Sequence, residues 1–93
     1  MLFVYHFDLE VGDREKHKVD FYYEKWTGKV SVKVDEIEAA RTRIFFLGQA
    51  PILNVNVGDK EKHEVRFDIR PRGPFFMKPT IGVFIDNKMV KTY

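Results

Sequence analysis

The sequence predicts an all-β domain, an antiparallel eight-stranded β-sandwich or flattened barrel made of two repeated four-strand units. Three observations lead there. Apolar residues recur at every second position through six segments, the period of a strand with one buried face. Segment 11–21, VGDREKHKVDF, returns at 57–67 as VGDKEKHEVRF, with 8 of 11 positions identical. Turn-forming residues punctuate the segments at hairpin spacing. Self-similarity at a fixed offset is the mark of a duplicated structural unit.

The first strand places Phe3, Tyr5, Phe7, Leu9 and Val11 on one face and Val4, His6, Asp8 and Glu10 on the other. Gly12-Asp13 turns it into a second, where Val19, Phe21 and Tyr23 alternate with Lys18, Asp20, Tyr22 and Glu24. Thr27-Gly28 opens the third, with Val30, Val32 and Val34 on the apolar face. The repeat then asks for a fourth strand within Ile37 to Leu47, although Ile37, Ala40, Ile44 and Leu47 also fit a helical stripe and Glu38-Ala39-Ala40-Arg41 is good helix material. Copy two follows as Leu53/Val55/Val57, the turn Gly58-Asp59, Val65/Phe67/Ile69, then Ile81/Val83/Ile85. The loop 70–79 is about five residues longer than its counterpart in copy one, and Asp86-Asn87 opens a tight turn into Lys88 to Tyr93. Gly82 falls inside a strand, where a bulge or a close approach is expected. Strands with one apolar face each must cover one another, so two packed sheets of about four strands are expected. Residues 1–93 then form a single domain, with the repeat dividing at approximately 1–47 and 48–93 and a pseudo-twofold axis relating the halves.

Several of these motifs resemble the N-terminal domain of the Fas apoptosis inhibitory molecule family. The run His17-Lys18-Val19-Asp20-Phe21, the Thr27-Gly28-Lys29 turn, the stretch Val30 to Asp35 and the ending Phe84-Ile85-Asp86-Asn87-Lys88 through Lys91-Thr92-Tyr93 are similar to that domain's H-K-(I/V)-x-F strand, S-G-K turn, V-x-V-D-G turn and I-N-G-K…K-K-Y close. The resemblance spans nearly the whole chain and implies an eight-stranded antiparallel sandwich. Glu36 stands where the family has Gly, and the family's second domain has no counterpart here. These motifs build strands and turns and transfer no catalytic residue, and fold does not fix function.

Composition narrows the function classes. The chain has no Cys, which removes disulfides, thiolate metal ligands and a cysteine nucleophile together. The net charge is +2 with signs interspersed, as in Asp13-Arg14-Glu15-Lys16, so nucleic acid and anionic membrane are not expected partners. No stretch approaches the ~20 apolar residues that span a bilayer, and the first ten residues alternate rather than forming a signal sequence. A cytoplasmic, non-enzymatic protein without cofactor is expected.

His17 and His63 hold equivalent positions after charged turns, with Glu15 and Glu61 at hand, and are expected to cap strand starts rather than bind metal. His6 reads as a polar surface residue, and no metal site is expected. Glu10, Asp13, Asp59 and Asp86 could meet in space. The aromatic residues outside the alternation are the candidates for binding: Trp26 and Phe75, Phe76 and Met77 in equivalent loops, with Tyr22 and Phe84 on the outer face. Lys33 is the copy-one counterpart of Phe84, so copy two has gained apolar surface. The expected function is a non-catalytic protein-interaction module with an unidentified protein partner or a second copy of the chain. A carrier of small apolar ligands and a weak binder of single-stranded nucleic acid are the alternatives, the latter opposed by Glu64 and Asp68 alternating with Arg66 and Arg70 in an expected cross-strand ion-pair ladder.

Overall fold

A computed structural model describes residues 4–24, 27–44, 51–70 and 80–93. They form strands β1 (Val4–Val11), β2 (His17–Glu24), β3 (Lys29–Val34), β4 (Ile37–Arg43), β5 (Ile52–Val57), β6 (His63–Arg70), β7 (Thr80–Ile85) and β8 (Lys88–Thr92), with no helix among the described residues. Each copy of the repeat builds its own antiparallel sheet, in the order β1-β2-β3-β4 and β5-β6-β7-β8. No strand is exchanged between copies, and the sheets stay separate instead of closing into a barrel.

Equivalent residues occupy equivalent rungs. Phe7 stands opposite Phe21 and Phe21 opposite Val32; in the second sheet Leu53, Phe67 and Val83 repeat the row. These inward rows face each other across the domain. Phe21 and Phe67 are fully buried with ring centroids 5.2 Å apart, Phe7 stacks on Phe21 at 4.9 Å, and Tyr93 closes over Phe7 at 3.7 Å. Val19, Val30, Val32, Val57, Val65, Ile69, Ile81 and Val83 complete an interior in which β-branched side chains suit the pleated surface. The predicted in/out alternation holds along β1, β3, β5 and β6 and departs elsewhere: Asp20 (3% exposed) and Gly82 are buried on outward faces, and β8 is exposed throughout.

The segment with two readings is a strand through Arg43, pairing along β3 from Lys29↔Arg43 to Val34↔Ile37. The free backbone edge of β3 outweighs the helix propensity of Glu38 to Arg41, as tertiary pairing commonly does. Ile37 ends up exposed, while Ile44 is buried in the core and Ala40 packs against it, half-buried. Residues 45–47 lie outside the described part. β4 and β8 each carry one extra residue, Ala39 and Val90, at equivalent register shifts opposite Val32/Lys33 and Val83/Phe84. At Gly82 a side chain, not a second backbone, makes the close approach: a Cβ there would lie 3.3 Å from the Phe84 ring.

The last hairpin of each sheet turns through two residues with positive φ, Asp35 (51°) and Glu36 (70°), then Asp86 (52°) and Asn87 (68°). Paired positive values are the signature of the type I′ turn, whose twist matches the flanking strands. Asp and Asn tolerate that region; Glu does not gain anything there. Glu36→Gly is therefore expected to stabilise the domain by about 0.5–1 kcal/mol, read as a shift of the urea midpoint. Glu36→Ala, which loses the same carboxylate but keeps a Cβ, should show no such gain.

Candidate functional site

The turns β1–β2 and β5–β6 meet at one end of the domain and are locked by side chains exchanged between copies. Gly12 (φ 110°) and Gly58 (φ 101°) take a conformation reserved for glycine. A Cβ on either would stand about 2 Å from the carbonyl oxygen of Glu15 or Glu61. This tight turn aims three successive backbone N–H groups outward, and a carboxylate from the other copy accepts them. Asp13 N donates to Glu61 Oε2 (2.7 Å), and Arg14 N (2.8 Å) and Glu15 N (3.3 Å) donate to Glu61 Oε1. In return Asp59 N (2.6 Å) donates to Glu15 Oε2, and Lys60 N (2.8 Å) and Glu61 N (3.3 Å) donate to Glu15 Oε1.

A histidine backs each carboxylate. His17 Nε2 lies 2.5 Å from Glu15 Oε2 and its Nδ1 2.5 Å from Asp35 Oδ2; His63 stands 2.6 Å from Glu61 Oε2 and 2.7 Å from Asp86 Oδ2. Asp35 Oδ1 and Asp86 Oδ1 accept the N–H of Lys18 and Glu64, tying the β3–β4 and β7–β8 turns to the same chain of contacts. An ionised carboxylate only accepts, so an imidazole between two of them donates from both nitrogens, as the imidazolium. Its pKa is raised accordingly, first by Asp35 or Asp86 and then by Glu15 or Glu61. The same histidines, followed by the backbone donors, hold Glu15 and Glu61 at about 2. Both nitrogens of each ring are engaged by carboxylates, so neither is available to take a proton from a nucleophile. The paired Asp–His–Glu relays are a fastening between the two sheets. The spacing Glu-x-His was visible in both copies; its cross-copy destination was not. Of the acidic groups considered as a meeting set, Asp86 joins His63, while Asp13 and Asp59 contribute backbone donors.

The outer faces differ more than the interior. On the first sheet the His6 ring stacks on Tyr22 (4.4 Å, 15° between planes), and the Lys33 ammonium lies 5.3 Å from the centre of the Tyr22 ring. Beside Tyr22, Ser31, Lys33 and Glu38 opens a shallow hollow of about 410 Å³. On the second sheet the equivalent positions are Asp68, Gly82, Phe84 and Met89, around a hollow of about 170 Å³. There the Arg66 guanidinium covers Phe84 at 4.1 Å and donates from Nε to Asp68 Oδ1 (3.1 Å), an ion pair along the strand where a cross-strand ladder was expected. Met89 (60%) and Val90 (50%) stay exposed on β8, whose outer edge has no neighbouring strand in its sheet.

Of the six sequence-predicted binding residues, Tyr22 and Phe84 lie on outer faces, half-buried, but on opposite sheets, so they belong to separate surfaces. Trp26, Phe75, Phe76 and Met77 lie outside the described residues. Met89, which the sequence reading passed over, stands opposite Phe84 on β8 and lines the same hollow. No helix among the described residues is long and apolar enough to cross a membrane. No protein-family model matches this chain, and no curated protein is significantly similar to it.

Proposed function

We propose that the domain is a non-catalytic protein-interaction module whose working surface is the outer face of the second sheet at β7 and β8. The observation that carries this reading is the divergence of the two copies at matched positions. Where copy one has Lys33, Glu38 and Ala39, copy two has Phe84, Met89 and Val90. Copy one folds into the same four-strand sheet with Lys33, Glu38 and the small Ala39 there, so the large apolar side chains in copy two are not required by the fold. Exposed apolar side chains along an edge strand suit a protein partner, which could add a strand to β8 and seat side chains around Phe84. Arg66 is committed to Asp68 and the Phe84 ring, which argues against a basic track for nucleic acid. The closely packed Phe7, Phe21, Phe67 and Tyr93 rings between the sheets argue against a ligand carrier.

The test transplants copy one onto copy two. Phe84→Lys with Met89→Glu installs residues that the equivalent hairpin already accommodates, and is expected to leave the circular dichroism spectrum and melting midpoint close to those of the parent. Proteins captured from native extract by the parent domain should be absent from the capture on the double variant. Identical captures by the two would refute the assignment of this surface.

A further inference from the structure

We propose that His6, Asp8 and Asp20 form a divalent-metal site on the outer face of the first sheet. His6 and Asp8 are outward neighbours on β1, and Asp20 stands directly opposite Asp8 on β2. One donor atom from each lies within 4.8 Å of the other two, and His6 Nε2 is 3.0 Å from Asp20 Oδ1. Two atoms bound to one ion at about 2.1 Å lie roughly 3.0–3.4 Å apart in octahedral or tetrahedral geometry. The His6–Asp20 pair already has that spacing, and Asp8 has to close by a change of side-chain rotamer.

Three further features set this cluster apart from ordinary surface polarity. Asp20 is 3% exposed, so its carboxylate has given up most of its water while facing a second carboxylate across the strands, an arrangement that repels unless a cation intervenes. The partners of Asp20 are the His6 ring, hydrogen-bonded at 3.0 Å, and the solvent-exposed Lys18 ammonium at ion-pair distance, 3.8 Å, which a divalent ion can replace; Lys33, opposite Asp20 on β3, lies against the Tyr22 ring. The stack on Tyr22 fixes the plane of the His6 imidazole with Nε2 toward Asp20, which preorganises a ligand.

The repeat supplies an internal control. The matched positions in copy two are Ile52, Asn54 and Arg66. Arg66 there pairs with Asp68 and Phe84, and the sheet forms with the same register, Asn54↔Arg66 in place of Asp8↔Asp20. The fold therefore needs neither the imidazole nor the two carboxylates. One nitrogen and two carboxylate oxygens suit a borderline divalent ion, with Zn²⁺ favoured over Mn²⁺ by the usual order of affinities, and three protein ligands leave positions open to water.

Isothermal titration of the chelator-treated full chain with ZnCl₂ tests the site. One equivalent is expected to bind. Loss of even a supporting partner weakens metal sites about 10–100-fold, so Asp20→Asn and His6→Gln should each weaken binding by at least about 100-fold, while Glu10→Gln on the same face should not. A measurement on the unmodified chain guards against variants that unfold: the imidazole resonances of His6 should shift on Zn²⁺ addition ahead of those of His17 and His63. No heat of binding, binding that survives both substitutions, or a first response at His17 or His63 would each overturn the proposal.

Discussion

Thermal unfolding followed across pH is expected to give a midpoint that is highest between about pH 4.5 and 6.5 and falls on both sides. His17 and His63 ordinarily titrate near 6.5, and in the folded domain they hold their protons to higher pH because two carboxylates flank each ring. The folded state binds more protons than the unfolded chain in that range, so this contribution is complete below 6.5 and is lost as pH rises through the raised values. Glu15 and Glu61 behave oppositely. They release their protons at about 2 when folded and near 4.5 when unfolded, so their contribution is complete above 4.5 and disappears as pH falls toward 2. Asp35 and Asp86, lowered chiefly by the same histidines, steepen the acid side. Glu61→Gln keeps the shape but presents an amide N–H₂ where one oxygen accepted, either toward Asp13 N and His63 Nε2 or toward Arg14 N and Glu15 N. It should lower the midpoint at pH 5.5 well beyond the change in Glu10→Gln, whose exposed carboxylate pairs with Lys16 at 3.8 Å. Pairing it with Glu15→Gln should flatten the acid limb and give a non-additive loss, because each carboxylate grips the turn that carries the other. A wild-type midpoint constant from pH 4 to 8 would remove the fastening from the account of stability.

Much of this architecture was legible because the governing signals are local. Period-two alternation gave six strands directly, and the duplicated VGD-x-EKH block placed equivalent turns and histidines in both halves. The β3–β4 hairpin was harder: its apolar residues satisfy two periods, and the choice depends on an unpaired edge of β3 that is created only in the folded sheet. The cross-copy grip of Glu15 and Glu61 was invisible for a related reason. It spans about 46 residues, and nothing local distinguishes a turn glutamate that reaches another turn from one that points to water. The His6–Asp8–Asp20 cluster follows once the β1–β2 register is known, since Asp8↔Asp20 is a single rung of that ladder. Its hidden sign was the mismatch with Ile52, Asn54 and Arg66 in the other copy. Both functional proposals rest on differences between the copies, not on their agreement. Agreement reports what the shared fold demands, and divergence on outer faces reports what it leaves free.

Phe67→Ala tests the claim that the two sheets are held face to face by one aromatic stack. Phe67 is fully buried at the middle of β6, between Leu53 and Val83, and its ring approaches Phe21 at 5.2 Å and Phe7 at 6.3 Å. Truncation removes the largest fully buried side chain that the described part of the second sheet sends across the interface. β6 is paired on both sides, so its backbone cannot collapse into the space without breaking a ladder, and a cavity remains. The expected loss is about 3–5 kcal/mol, a large part of the ~5–15 kcal/mol that holds a domain of this kind together. Phe84→Ala is the matched comparison, an identical truncation one strand away on the outer face, where the ring packs only under Arg66 and beside Gly82 and Met89. It is expected to cost no more than about 1 kcal/mol. Urea denaturation of both variants separates the two locations, and equal losses would mean that the sheets do not close on these rings. The same contrast bears on function. A residue whose loss unfolds the domain is a poor reporter of binding, whereas Phe84 can be removed from a standing scaffold, so a change in partner capture after its loss is attributable to the surface itself.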